Sequence, residues 1–235
     1  MRPFSGTLPA AGAPWLRERL QTTPDGPLAV LHTGPQAVYL AVERAGTAPW
    51  CLGVVGSRAA AVPNALRVAL PDLRSLDLGA PRIEDGVLRL GSITIRLGRL
   101  VDVQVPALRG ITISPEPVDP ALLVARIGLG DGLTPYGDDV VCGWLATQRA
   151  AGQATPDADA AVRGAAARTT LLSATLLDCA ARGQVLPEFA AYVAALGTPD
   201  ESACEAALAV IGESSGRGLI EGARFALTGE AEQAA

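Results

Sequence analysis

The densest chemistry in the chain lies between Gly128 and Asp139, where Gly-Leu-Gly-Asp-Gly-Leu-Thr-Pro-Tyr-Gly-Asp-Asp brings glycines, a helix-start signal and two adjacent carboxylates together. Glycines at Gly128, Gly130, Gly132 and Gly137 cost the folded loop conformational entropy, a cost that makes sense where positive φ or a close approach of backbone to ligand is needed. Thr134 followed by Pro135 reads as an N-cap with proline in the first helical position, opening a helix through Val140, Val141, Trp144 and Leu145. The free amides at such an end attract an anion. Gly130, Gly132, Leu133, Thr134 and Gly137 are therefore the candidate anion-binding positions, set against the plainer reading of a tight turn and a well-capped helix.

Asp138 and Asp139 are the candidate catalytic carboxylates. As helix neighbours they point about 100° apart, so they do not form a symmetric dyad, and one of them faces the loop. Two such charges about 4 Å apart repel by about 4 kcal/mol at an effective dielectric of about 20. A divalent metal such as Mg2+, an arginine or an N–H-rich substrate would relieve that repulsion, and these two residues are the candidate ligands if a metal is bound. The alternative is that both simply complement the helix dipole.

A second glycine-containing loop, Gly212 to Gly218, also precedes a helical pattern, through Leu219, Ile220, Ala223 and Phe225. Ser214, Ser215 and Gly216 offer hydroxyls and backbone amides for an anion or a helix cap, and Arg217 a guanidinium for a carboxylate or phosphate. His32 is the sole histidine, which rules out a multi-histidine metal site, and its strand-like surroundings suit a half-buried structural residue. Asn64, after Pro63, is either a turn residue or a substrate contact.

The elements that must position these groups fall into two kinds. Short apolar runs at 28–32, 37–42, 51–55 and 66–70 are strand signals, and 87–90 and 93–97 flank Gly91-Ser92 as the arms of a hairpin. From Asp119 onward, alanine-rich segments with apolar residues three and four apart predict helices over 119–127, 135–151, 157–182, 187–196, 199–211 and 216–228. Strands first and helices second make the fold class α+β: a β-rich domain over 1–117, a helical domain over 118–229 that carries the glycine loop, and a tail over 230–235.

Composition narrows the partners. A net charge of −5 without a basic cluster argues against nucleic acid, and the complete absence of lysine removes Schiff-base chemistry and a Walker-type phosphate lysine. The cysteines, Cys51, Cys142, Cys179 and Cys204, lie far apart and read as buried reduced thiols. Neither a charged leader before an apolar run nor a stretch of about eighteen apolar residues is found, so the expectation is a cytoplasmic protein without a membrane partner.

The Gly128–Asp139 stretch resembles the signature GxGxGLTPxGDD of a family that includes the third, AllH-like subunit of oxamate carbamoyltransferase from allantoin catabolism, with Tyr136 where serine is usual. Thr170 to Gly183 resembles that family's TxxSxxLLxxAxxG helix, and Val62-Pro63-Asn64 a Pro-Asn element of its β region. In the second loop, usually close to GHSSGxD, Glu213 replaces the histidine and Gly218 the aspartate. The resemblance implies carbamoyl transfer between oxalurate and phosphate, small anionic substrates, and larger partner subunits. The two replacements keep open a rival reading, a non-catalytic assembly or regulatory subunit that binds a small anion.

Overall fold

The computed structural model describes residues 6–113 and 118–229, and the chain divides into two compact units between Asp102 and Val103. The break expected after residue 117, and the tail over 230–235, fall on residues outside those described.

The first unit is a nine-stranded sheet in the order β2-β7-β8-β9-β1-β6-β5-β4-β3. Its strands are β1 (Gly6–Gly12), β2 (Gly26–Pro27), β3 (Ala29–Thr33), β4 (Ala37–Val42), β5 (Trp50–Val55), β6 (Ala65–Val68), β7 (Arg82–Glu84), β8 (Val87–Leu90) and β9 (Ile93–Leu100). The expected hairpin forms from β8 and β9, with Leu88 opposite Ile95. β5 is buried along all six residues, which explains its unbroken apolar run. Most neighbours are antiparallel, but β1 lies parallel to β9, and β5 parallel to β6. Helix α1 (Pro14–Thr22) starts on Pro14, buries Leu16 and Leu20, and brings Trp15 edge-on to Trp50 at 5.9 Å between centroids.

Four elements here lie outside the sequence expectation: β1, α1 and the short strands β2 and β7. Gly-Thr-Leu-Pro-Ala-Ala-Gly has little intrinsic strand propensity, and it is extended because β9 and β6 hold it on both sides.

The second unit is helical: α2 (Pro120–Arg126), α3 (Tyr136–Ala150), α4 (Pro156–Gly164), α5 (Leu171–Ala181), α6 (Pro187–Ala195), α7 (Glu201–Ala209) and α8 (Ser215–Thr228). Asp119 caps α2 by accepting from the Ala121 amide, with Pro120 in the first turn. The extended stretch before it is tied into this unit: the Val105 and Leu108 amides donate to Gly183 and Ala150 carbonyls, and the Val185 amide to Val103.

Helix α3 is the axis. Every residue except Tyr136 and Arg149 is buried, and α2, α5 and α8 pack around it. Arg149 uses its guanidinium as a strut, donating to the Ala181 carbonyl at 2.7 Å and to both Asp159 carboxylate oxygens at 2.6 Å, which joins α3 to α5 and α4.

The single helix expected over 157–182 is instead two. α4 ends at Gly164, a short 3-10 turn covers Ala166–Arg168, and Thr169 is extended before Thr170 caps α5 by accepting from the Ser173 amide at 3.1 Å. The interruption places the Arg168 carbonyl against Gly128, where a Cβ would lie 2.2 Å from that oxygen, and turns Thr169 toward α3. No helix among the described residues is long and apolar enough to cross a membrane.

Candidate functional site

The loop from Gly128 to Pro135 is shaped by backbone conformations open to glycine. Gly130 has φ +109°, and a Cβ there would stand 2.8 Å from the Tyr136 nitrogen, so the residue combines positive φ with close approach. Gly132 also has positive φ but faces open space. Leu133 is exposed, and its carbonyl accepts the Thr170 hydroxyl at 2.7 Å.

The start of α3 differs from the sequence expectation. Pro135, with φ −50° and ψ 140°, is the N-cap and not the first helical residue, and Thr134 does not cap the helix. The hydroxyl of Thr134 points instead to Ser215, at 3.0 Å between oxygens. The first-turn amides are engaged within the protein: Gly137 donates to Leu129, and Asp138 and Asp139 both donate to Pro135. The donors that sequence reasoning assigned to an anion at this helix end are therefore turned inward, and the hydroxyl pair is what faces the loop.

The two aspartates sit in different surroundings. Asp138, 1 % exposed, receives the Gly128 amide at 2.8 Å on one oxygen and the Thr169 hydroxyl on the other. It ties the loop, α3 and the start of α5 into one piece. Asp139, 6 % exposed, lies near Ser215, and its Oδ2 has no hydrogen-bond partner among the described residues. Burial pushes the Asp139 carboxyl up to about 7; the nearby Ser215 hydroxyl pulls it down and the Asp138 charge adds to the rise. The same burial, followed by the fields of Asp139, Asp138 and Cys179, holds the Cys142 thiol well above its ordinary value. Among the described residues, no group of three His, Cys, Asp or Glu side chains is placed to hold a metal ion.

On the α8 side, Ser214 precedes the helix without a side-chain cap, and its carbonyl accepts the Gly218 amide at 3.0 Å. Gly216 packs against the Leu208 carbonyl so closely that a Cβ would lie 1.8 Å away. Arg217 is exposed and donates to the Glu213 carbonyl at 3.0 Å, within its own loop. At Gly218 a Cβ would meet the Asp139 Cβ at 2.8 Å and the Tyr136 carbonyl at 3.1 Å. The aspartate that the resemblance leads one to expect there has no room in this packing.

Thr134, Ser215 and Asp139 thus come together, and with them the two glycine loops. Asn64 belongs to the first unit, where it is fully buried, donates from Nδ2 to the Cys51 carbonyl at 3.1 Å and accepts the Gly53 amide on its backbone oxygen. It pins the crossover from β5 to β6. Three contributors escaped sequence reasoning: Thr169 on Asp138, Thr170 on Leu133, and Glu221, which accepts the Tyr136 hydroxyl at 2.6 Å and Arg126 at 3.1 Å. The adjacent threonines before a helical pattern are a cap signal, but nothing local points from either one to its partner.

No curated protein and no solved structure matches the chain. The Val62-Pro63-Asn64 element lies outside the one stretch that matches a family model. That stretch, residues 126–227, runs from the last residue of α2 almost to the end of α8 and includes both glycine loops, and the family it matches is described as Oxamate carbamoyltransferase subunit AllH.

Proposed function

We propose that this chain is a subunit of a carbamoyltransferase-type enzyme, and that its two glycine loops form one site for a small anionic substrate. The observation that carries this reading is the 3.0 Å approach of the Thr134 and Ser215 hydroxyls, which joins both loops above the buried Asp139. The match of residues 126–227 to the AllH family model supports that reaction class. In that reaction the ureido nitrogen–carbon bond of oxalurate breaks as a phosphate oxygen bonds the carbamoyl carbon, giving oxamate and carbamoyl phosphate.

Each group has a part in this reading. The hydroxyls of Thr134 and Ser215, with the backbone of Gly130 to Leu133, hold phosphate or carboxylate oxygens. Asp139 accepts hydrogen bonds from ureido N–H groups and takes up or returns a proton at its free oxygen. Arg217, exposed at the mouth of the second loop, clamps a carboxylate, and Asp138 positions the loop. Larger partner subunits, in a cytoplasmic setting, complete the catalytic unit.

A second reading has its own observation. Glu213 stands where the resembling family has histidine, and Gly218 is closed against Asp139, so a site without those two groups suits a non-catalytic assembly or regulatory subunit. Calorimetric titration of the purified chain with phosphate, oxamate and carbamoyl phosphate, with and without Mg2+, tests the site. A ligand that binds only the folded chain also raises Tm by mass action. Saturable binding that is lost in Gly132→Val supports the site, and turnover appearing only when partner subunits are added supports the enzyme. Turnover by the isolated chain would sink the multi-subunit reading. Binding without turnover in the full assembly would select the regulatory one.

A further inference from the structure

A cavity of about 690 Å3 opens on the helical unit, a size within the range of small-molecule sites. Trp144 and Gln148 line it from α3, one turn apart and so on the same face of that helix. Leu108, Ile111, Ile113 and Val118 give it an apolar wall, with the first turn of α4 beside them. This frame is tied together within the protein. The Leu108 amide donates to the Ala150 carbonyl at 2.8 Å, and Arg149 holds the start of α4 through the Thr155 hydroxyl at 3.0 Å and the Asp159 carboxylate at 2.6 Å.

The polar groups of the cavity are few, and two of them are costly. Gln148 is 7 % exposed, yet among the described residues its carboxamide makes no hydrogen bond; the indole nitrogen of the buried Trp144 makes none either. A carboxamide kept from bulk water without a partner destabilises a fold relative to an apolar side chain of similar size. Leucine would suit this helix equally well. The carboxamide is accounted for when the cavity takes in its match. It presents a donor and an acceptor side by side, so that match is the same pair reversed. Charge narrows the class further. Among the described lining residues there is no arginine or histidine, and the sole charged one, Asp157, is exposed in the first turn of α4, where it complements the helix dipole. An anion therefore meets no counter-charge here, and an ammonium group would lose water without gaining a buried partner.

We infer that this cavity binds a small neutral molecule with an apolar body and an amide-type edge, a carbonyl beside an N–H, which pairs with the Gln148 carboxamide through two hydrogen bonds. The apolar body lies against Leu108, Ile111, Ile113 and Val118. The inference goes beyond the anion-site reading and does not rest on it. That site is built at the first turn of α3, whereas Gln148 stands in the last turn of the helix, and the two select ligands of opposite character.

Benzamide is the probe, with benzoate as its anionic counterpart and toluene as its apolar one. Titrated into the full chain at neutral pH, benzamide should give a saturable binding heat and a matching rise in Tm. Benzoate and toluene should each bind at least about tenfold more weakly, since one brings an unmatched charge and the other leaves the carboxamide unpaired. Inorganic phosphate should not displace benzamide. Gln148→Leu should fold with a Tm equal to or above that of the wild type, and should bind benzamide no better than toluene. A Gln148→Leu protein of lower stability overturns the inference, because the carboxamide is then bonded within the fold. One that keeps the wild-type preference for benzamide overturns it by placing the ligand elsewhere, and displacement by phosphate does so by placing it at the glycine loops. Equal binding of the three probes would leave an apolar cavity that reads no amide, and absence of any benzamide effect on the folded chain would leave no site; either result ends the proposal while the anion-site reading stands.

Discussion

Gly222 on α8 presses on α3 so closely that a Cβ would lie 1.9 Å from the Val140 carbonyl oxygen. The contact is reciprocated one turn away, where a Cβ on Gly143 would lie 2.2 Å from the Leu219 carbonyl. Missing side chains let the two helix backbones touch, and that closeness brings Ser215 to Asp139. Gly222→Ala and Gly143→Ala should each destabilise the protein by about 1–3 kcal/mol through overpacking. Gly164→Ala, at a helical position with nothing within 4 Å, should be neutral or stabilising by up to about 1 kcal/mol. Thermal or urea denaturation of the three variants decides the matter; equal stability of all three would count against close helix contact.

Asp138 and Thr169 should behave as one unit. Asp138→Ala leaves the half-buried Gly128 amide without its partner and should cost about 1–3 kcal/mol. Thr169→Val removes only the hydroxyl that meets the other oxygen. In a double-mutant cycle the coupling should exceed about 0.5 kcal/mol, and simple additivity would mean that the pair carries no joint energy.

Asp139 gives stability a pH dependence of unusual sign for an acid. Its folded-state value is raised from 3.8 to about 7, so the folded protein holds this proton more tightly than the unfolded chain does. The stabilisation is complete below 3.8 and disappears as pH rises to about 7, where the buried charge costs up to about 4 kcal/mol at 1.36 kcal/mol per pKa unit. Asp139→Asn should therefore gain on the wild type as pH rises through this window and keep a constant advantage above it. Parallel stability curves for the two proteins would exclude the raised value.

The thiols should separate into two classes. Burial pushes Cys51 and Cys179 up to about 12 and Cys142 well above its ordinary value, whereas Cys204 is half-exposed. Titration of the native protein with a disulfide reagent should give one rapid equivalent, removed by Cys204→Ser, and three more only on unfolding. A second rapid thiol would mean that one of the buried three becomes accessible in solution.

Local pattern made some elements readable from sequence and left others hidden. The β8–β9 hairpin was legible because its alternation and its Gly91-Ser92 turn are both local. Strand β1 was not, because Pro9 and its small neighbours become strand only between two partners. The split of 157–182 was equally hidden, since alanine-rich pattern continues through a break whose purpose is to bring Thr169 to Asp138, 31 residues away. At the candidate site, the glycine spacing and the Asp138-Asp139 pair marked the place, but their division of labour depends on Thr169 for one and Ser215 for the other. Thr134 was placed one role away from its actual one: its partner is 81 residues on, and local capping rules cannot see that far.

The position of β1 sets an order of events during synthesis. It lies between β9 and β6, so four strands on one side of the sheet meet four on the other only through residues 6–12. Its parallel partner is completed at Leu100, so the first strand of this unit must wait for the last before both its edges are covered. Until then a nascent chain holds two half-sheets with open edges, the state most exposed to misassociation. Deleting Gly6–Gly12 should make that transient state permanent, dividing one sheet into two.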